Sequence, residues 1–187
     1  MTYPSYDEIE KIRITLKEAT IEHWLHTELF QFNWWLNLIL ALLPLFIWWK
    51  IVDKSKLFQI LTYGLMVGVV AIILNIVGIN LVWWGYPNSL LPMIPPIFPF
   101  DISIVAVLNM ILFQYFHTWK SFLKAKLVLA TTYSFIFEPL LVKLGIYQLH
   151  TWKYWYSFPI YLIIAVSLKW LVQKMEQLSV NTPKQKS

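Results

Sequence analysis

LFQILTYGLMVGVVAIILNIVGI, residues 57–79, decides the fold. None of its 23 side chains is charged. An α-helix needs about 17–25 apolar residues to cross a bilayer, so this run reads as a transmembrane helix. Gly64, Gly68, Ala71, Asn75 and Gly78 recur along it at steps of four, three, four and three. That spacing gathers small and amide groups on one helix face. Gly64 and Gly68 form a G-x-x-x-G pair, which lets a second helix approach closely.

Four more apolar runs share this character: Asn33–Trp49 before it, then Ile102–Trp119, Lys126–Leu144 and Phe158–Val172. Hydrophobicity on all sides over such lengths belongs to membrane helices rather than to soluble helices with a polar face. Trp34 and Trp35 at one end of the first run, and Trp48 and Trp49 at the other, read as aromatic belts at the two interfaces. The expected fold is all-α: a polytopic membrane helix bundle of five transmembrane helices over residues 33–173, preceded by an N-terminal amphipathic helix. Composition agrees, with 58% hydrophobic and 13% charged residues, against about 45–50% and about 25% in soluble domains. Cys is absent, which excludes disulfides, thiolate metal ligands, Cys nucleophiles and a Cys-linked lipid anchor.

Residues 1–32 differ from the rest. They hold six of the ten acids (Asp7, Glu8, Glu10, Glu18, Glu22, Glu28). Ile9, Ile12, Leu16, Ala19 and His23 recur at three- and four-residue steps, which predicts an amphipathic helix from about Ser5 to Phe30, capped by Ser5 or Asp7. No basic stretch precedes the first apolar run and no small-residue cleavage site follows it, so a signal peptide is not expected. With the N-terminus outside, ten basic residues fall on cytoplasmic segments and five on outer ones. The positive-inside rule therefore predicts a plasma-membrane protein with its N-terminus outside and a polar tail, residues 174–187, in the cytoplasm.

Two outer loops stand out. Asn80–Phe100 holds Pro87, Pro92, Pro95, Pro96 and Pro99, which block regular helix and sheet. Its apolar content predicts a cap or shallow re-entrant loop over the outer mouth of the bundle. Gly145–Ser157, GIYQLHTWKYWYS, is aromatic and reads as a headgroup-layer loop.

Polar groups facing lipid go unsatisfied, so the polar stripes should point inward. Besides the Gly64–Gly78 face these are Asn33, Asn37, Ala41 and Pro44 on span one, Asp101 and Asn109 on span three, and Thr131, Ser134 and Glu138 on span four. Glu138 precedes Pro139, whose ring crowds the Phe135 carbonyl and predicts a kink beside a carboxyl group. An ionised carboxylate at that depth costs about 2.5–3.5 kcal/mol, so it should be paired, protonated or functional. Glu138, Asp101, Asn75 and His150 are expected to converge in a polar pocket beneath the proline-rich cap. The structural alternatives pair Glu138 with Lys143 or Tyr147 as a lock on the kink, and use Asp101 as a helix N-cap.

Other signals are weak. His23 and His26 with Glu22 make too poor a ligand set for zinc, so neither a metal nor another cofactor is expected. His117 reads as an interface ring. P-loop, dinucleotide, G-x-S-x-G and H-E-x-x-H motifs are missing from the sequence, and its lysines are too scattered for a nucleic-acid surface. The blocks HWLHTELFQFNWWLNLIL, WWGYPNSLLPMIPPIFPFD, QYFHTWKSF and FEPLLVKLGIYQLHTWKYWYSFPIYL resemble an uncharacterised family of small multi-pass membrane proteins of spore-forming Gram-positive bacteria. The resemblance covers about His23 to Leu162. It implies a five-helix protein of the bacterial cell membrane and carries over no catalytic residue. It also implies an acid near Asn75 in relatives, so the amide here leaves Glu138 and Asp101 as the acids of the pocket.

Three readings of function follow. The first is a non-enzymatic bundle in the lipid bilayer that binds a lipid, a small apolar ligand or a membrane-protein partner (a second copy of the chain included) at its outer face. The second is a membrane-embedded acid–base enzyme using Glu138 and Asp101 on a lipid or isoprenoid. The third is a proton-linked transporter or channel protomer, for which five spans without a repeat offer little support.

Overall fold

A computed structural model describes residues 3–94 and 100–181 of the chain. Six helices make up nearly all of it. They are α1 (Tyr6–His23), α2 (Phe32–Ile51), α3 (Leu57–Asn80), α4 (Asp101–Tyr115), α5 (Trp119–Lys143) and α6 (Tyr154–Asn181). Helices α2, α3, α5 and α6 are each long and apolar enough to cross a membrane.

The expected third span is corrected. Its helix, α4, ends at Tyr115 rather than Trp119 and is a shorter apolar helix, about 22 Å long at 1.5 Å per residue, so four helices rather than five have the length and composition of a membrane span. Phe116 leaves the helical region, and Thr118 caps α5 by accepting from the Ser121 N–H at 3.2 Å. Helix α4 nevertheless runs from one end of the bundle to the other. Asp101 meets Asn75 near the end of α3, and Gln114 meets Asp53 and Ile51 in the α2–α3 turn.

The small-residue face of α3 is where α4 sits. A Cβ at Gly64 falls on the Met110 side chain, and one at Gly68 lies 3.3 Å from the Asp101 carbonyl oxygen. Close packing of this kind, rather than hydrophobic expulsion, joins helices in lipid. The outward faces stay apolar: Leu42, Phe46, Val69, Ile73 and Ile163 are all exposed, as a lipid-facing surface requires. Thr131, expected inward, is exposed and back-bonds to the Leu127 carbonyl instead.

Helix α5 begins seven residues before the run expected to form span four, so Lys126 lies within a helix rather than at the start of one. It widens to a π turn over Tyr133–Phe137, just before Glu138 and Pro139. Pro139 has no N–H to give the preceding turn, and the wider turn absorbs that missing bond. The distortion thus falls where the sequence places it.

Helix α1 is held by a capping box, Ser5 with Glu8. It continues in a π turn over Trp24–Glu28 and ends before Phe30, whose φ is +60°. None of the residues from Tyr6 to His23 is buried, whereas Glu28 in the π turn is. Helix α6 extends well beyond Val172, so residues 174–181, expected in a tail, are helical, while 182–187 lie outside the described residues.

The two loops at the end of the bundle near Asn75 are joined. Trp84–Gly85 (β1) and Gln148–Leu149 (β2) pair antiparallel, Trp84 opposite Leu149. Trp83 and Trp152 stack at 5.2 Å, as do Tyr86 and Tyr147. Asn88–Leu90 hangs from the α1–α2 junction: Glu28 accepts from the Ser89 N–H and hydroxyl, Trp24 donates to the Ser89 carbonyl and Trp34 to that of Leu90. Pro95, Pro96 and Pro99 of the expected cap lie outside the described residues.

Candidate functional site

A cavity of about 670 Å³ lies among α2, α3, α4, α5 and α6, beneath the joined loops. Its walls are mostly apolar, with Leu36, Leu40, Val67, Ile104, Ile160 and Ile164 among them. Polar side chains reach it in two groups. Their separation follows from position on α5: Lys126 and Glu138 are twelve residues, or about 18 Å, apart along its axis.

The group nearer the loops holds both acids. Helix α3 presents Asn75, whose Nδ2 donates to the Asp101 carboxylate at 2.9 Å. Asn75 Oδ1 accepts from the Tyr86 hydroxyl at 2.6 Å and from Trp84 Nε1 at 3.2 Å. Asp101 is therefore held from α3 rather than acting as an N-cap, and its own helix start has no side-chain cap. Glu138 accepts from the Tyr161 hydroxyl at 2.8 Å and from Ser157 at 3.1 Å, both on α6. Lys143 is exposed and Tyr147 stacks on Tyr86, so neither expected lock forms. Both acids are nearly buried and meet only neutral donors, and among the described residues the one ion pair is His23 with Glu28 at 3.4 Å.

The loop phenols complete this end. Burial pushes the Tyr86 hydroxyl well above the ordinary phenol range, and Tyr147, Asp101 and Glu138 add to the shift. Burial also raises Tyr147, with Glu138 and Tyr154 adding to it. Both stay protonated, so Tyr86 keeps its proton to donate to Asn75.

His150 is a correction. Its side chain is exposed, and among the described residues only its backbone N–H is engaged, donating to the Trp83 carbonyl at 3.0 Å. The Trp83 carbonyl also accepts from Thr151 and Trp152, which turns the chain there and keeps the imidazole outside the cavity lining.

The second group was missed in the sequence. Lys126 on α5 is 2% exposed, and its Nζ donates to Asn109 Oδ1 on α4 at 2.8 Å. The Tyr133 ring lies 5.8 Å from Nζ, and its buried hydroxyl has no hydrogen-bond partner among the described residues. Lys126, Asn109 and Tyr133 all line the cavity. The signal was the spacing of Phe122, Lys126, Ala130 and Tyr133, a four–four–three stripe whose members are all buried. Lys169, counted as a cytoplasmic charge, is also buried; it donates to the Phe116 and His117 carbonyls at 2.9 and 3.4 Å and closes the end of α4.

The arrangement is a partly open, mostly apolar pocket that can hold an apolar molecule between carboxyl groups at one end and an amine at the other. Among the described residues no cluster of three or more His, Asp or Glu side chains forms a metal site. None of the family models, curated proteins or solved structures compared matches this chain.

Proposed function

We propose that this chain is an integral membrane protein of the bacterial cell envelope that binds an apolar, lipid-class molecule inside its bundle. The observation that carries the reading is the cavity of about 670 Å³ among helices of membrane length. Its size falls within the about 300–1,000 Å³ of small-molecule sites, and its few polar groups suit orienting rather than solvating a ligand. In this reading the N-terminus lies outside, as the distribution of basic residues suggests, and the loops joined by Trp84 and Leu149 lie at the outer end. Purification followed by mass spectrometry of extracted lipids tests the reading. One molecular class should accompany the chain at near-stoichiometric amounts and fall away in Ala71→Phe, which fills the cavity. Recovery of only bulk lipid in both proteins overturns it.

A second reading has its own observation: Asp101 and Glu138 face one cavity, each held by neutral donors. Paired carboxyl groups so placed suit proton transfer to and from a bound apolar substrate, such as an alkene of the isoprenoid class. Turnover lost in both Glu138→Gln and Asp101→Asn, with ligand still bound, identifies the enzyme. Binding without any chemical change in the extracted molecule argues for the first reading alone.

A further inference from the structure

The polarity of the cavity is uneven, and the unevenness specifies a ligand. We infer that the cavity takes a long-chain carboxylic acid, with its carboxylate at Lys126 and Tyr133 and its hydrocarbon chain running toward Asp101 and Glu138. This rests on the reading of the cavity as a site for a lipid-class molecule.

Lys126 is buried in an apolar wall, and Asn109, a neutral acceptor, holds its Nζ. No carboxylate of the chain pairs with it among the described residues. An ammonium group has three N–H donors, and a buried one without a counter-charge is costly. Tyr133, two turns along the same face, brings a buried hydroxyl with no partner. An anionic head with two acceptor oxygens meets both needs, taking one bond from Nζ and one from the phenol. A neutral alcohol can accept from both groups but brings no counter-charge, and a hydrocarbon end offers neither charge nor acceptor.

The opposite end sets the direction. Asp101 and Glu138 would repel an anion or compete with it for donors, and their own donors (Asn75, Ser157 and Tyr161) are already engaged. The about 18 Å between Lys126 and Glu138 along α5 is the length of an extended fatty chain rather than of a compact metabolite. A long-chain acid therefore fits head-inward, its tail beside the carboxyl groups.

Native mass spectrometry of the purified full chain, incubated with equal amounts of oleic acid and oleyl alcohol, tests this. Wild-type protein should favour the acid by about tenfold, a charged hydrogen bond's worth of preference. Lys126→Gln and Tyr133→Phe should each reduce that preference toward equality while alcohol occupancy persists. Tyr133→Phe keeps the ring, so it remains informative if Lys126→Gln fails to fold. Equal binding of acid and alcohol to wild type, or a preference unchanged in both variants, overturns the carboxylate assignment and leaves the cavity reading standing. Occupancy by neither ligand overturns the cavity reading as well.

Discussion

Asn75 holds Asp101 across the α3–α4 interface, its Nδ2 donating to the carboxylate at 2.9 Å while its Oδ1 accepts from Tyr86 and Trp84. One amide thus ties a membrane helix, a short helix and the loop that lines the cavity. Asn75→Leu keeps the bulk but leaves three polar groups without that partner. It should cost about 3 kcal/mol, since each unsatisfied buried group costs about 1–3 kcal/mol. Thermal unfolding of the purified variant in detergent measures this. An unchanged transition contradicts the role given to Asn75.

Gly78 lies under the Trp84 indole, and a Cβ there falls on the ring itself. Gly78→Ala must push the indole off its bond to Asn75, and overpacking of this kind costs about 1–3 kcal/mol. Because both changes break the same Trp84–Asn75 contact, the double variant with Asn75→Leu should lose less than the sum of the two. Gly145 is different: its φ is +69° and a Cβ meets nothing within 4 Å. Gly145→Ala should cost about 1–2 kcal/mol through backbone strain alone.

Much of this frame is legible in the chain because its cues are local. The stripe from Gly64 to Gly78 shows where a helix packs, and Pro139 shows where α5 is distorted, since both act through their own backbone. What escaped depends on distance. Thr118 ends one helix and starts another, yet in sequence it sits inside an apolar run and reads as part of a span. Lys126 reads as a flanking charge until Phe122, Ala130 and Tyr133 are seen on its face with Asn109 opposite. His150 looked polar and close to the pocket, but a backbone turn onto the Trp83 carbonyl sends it outward. The pairing of Trp84 with Leu149 joins residues 65 apart, and no local pattern announces it.

Alkaline pH provides a third test, because the Tyr147 phenol is held well above its ordinary value, first by burial. Folded protein keeps this proton at a pH where the unfolded chain, with phenols near 10, has released it. The unfolded state then binds fewer protons, so stability is complete below pH of about 10 and declines above it. Tyr147→Phe should flatten that decline in denaturation curves taken from pH of about 9 to 11. An equally steep decline in the variant contradicts the burial of this hydroxyl.

Orientation can be read directly because the chain has no cysteine. Ser55 lies in the exposed α2–α3 turn and Gln148 in the exposed loop at the opposite end. In intact cells a membrane-impermeant maleimide should label Gln148→Cys and spare Ser55→Cys until the membrane is opened. The reverse pattern places the amino end in the cytoplasm and contradicts the proposed topology.

The cavity itself is the centre of the account, and an experimental structure of the chain purified from its native membrane tests it most directly. The account predicts continuous elongated density between Lys126 and Glu138, ending beside the Lys126 amine, with Asp101 and Glu138 flanking its far end. A bundle whose α4 and α5 close on each other, with side chains filling that space, contradicts it.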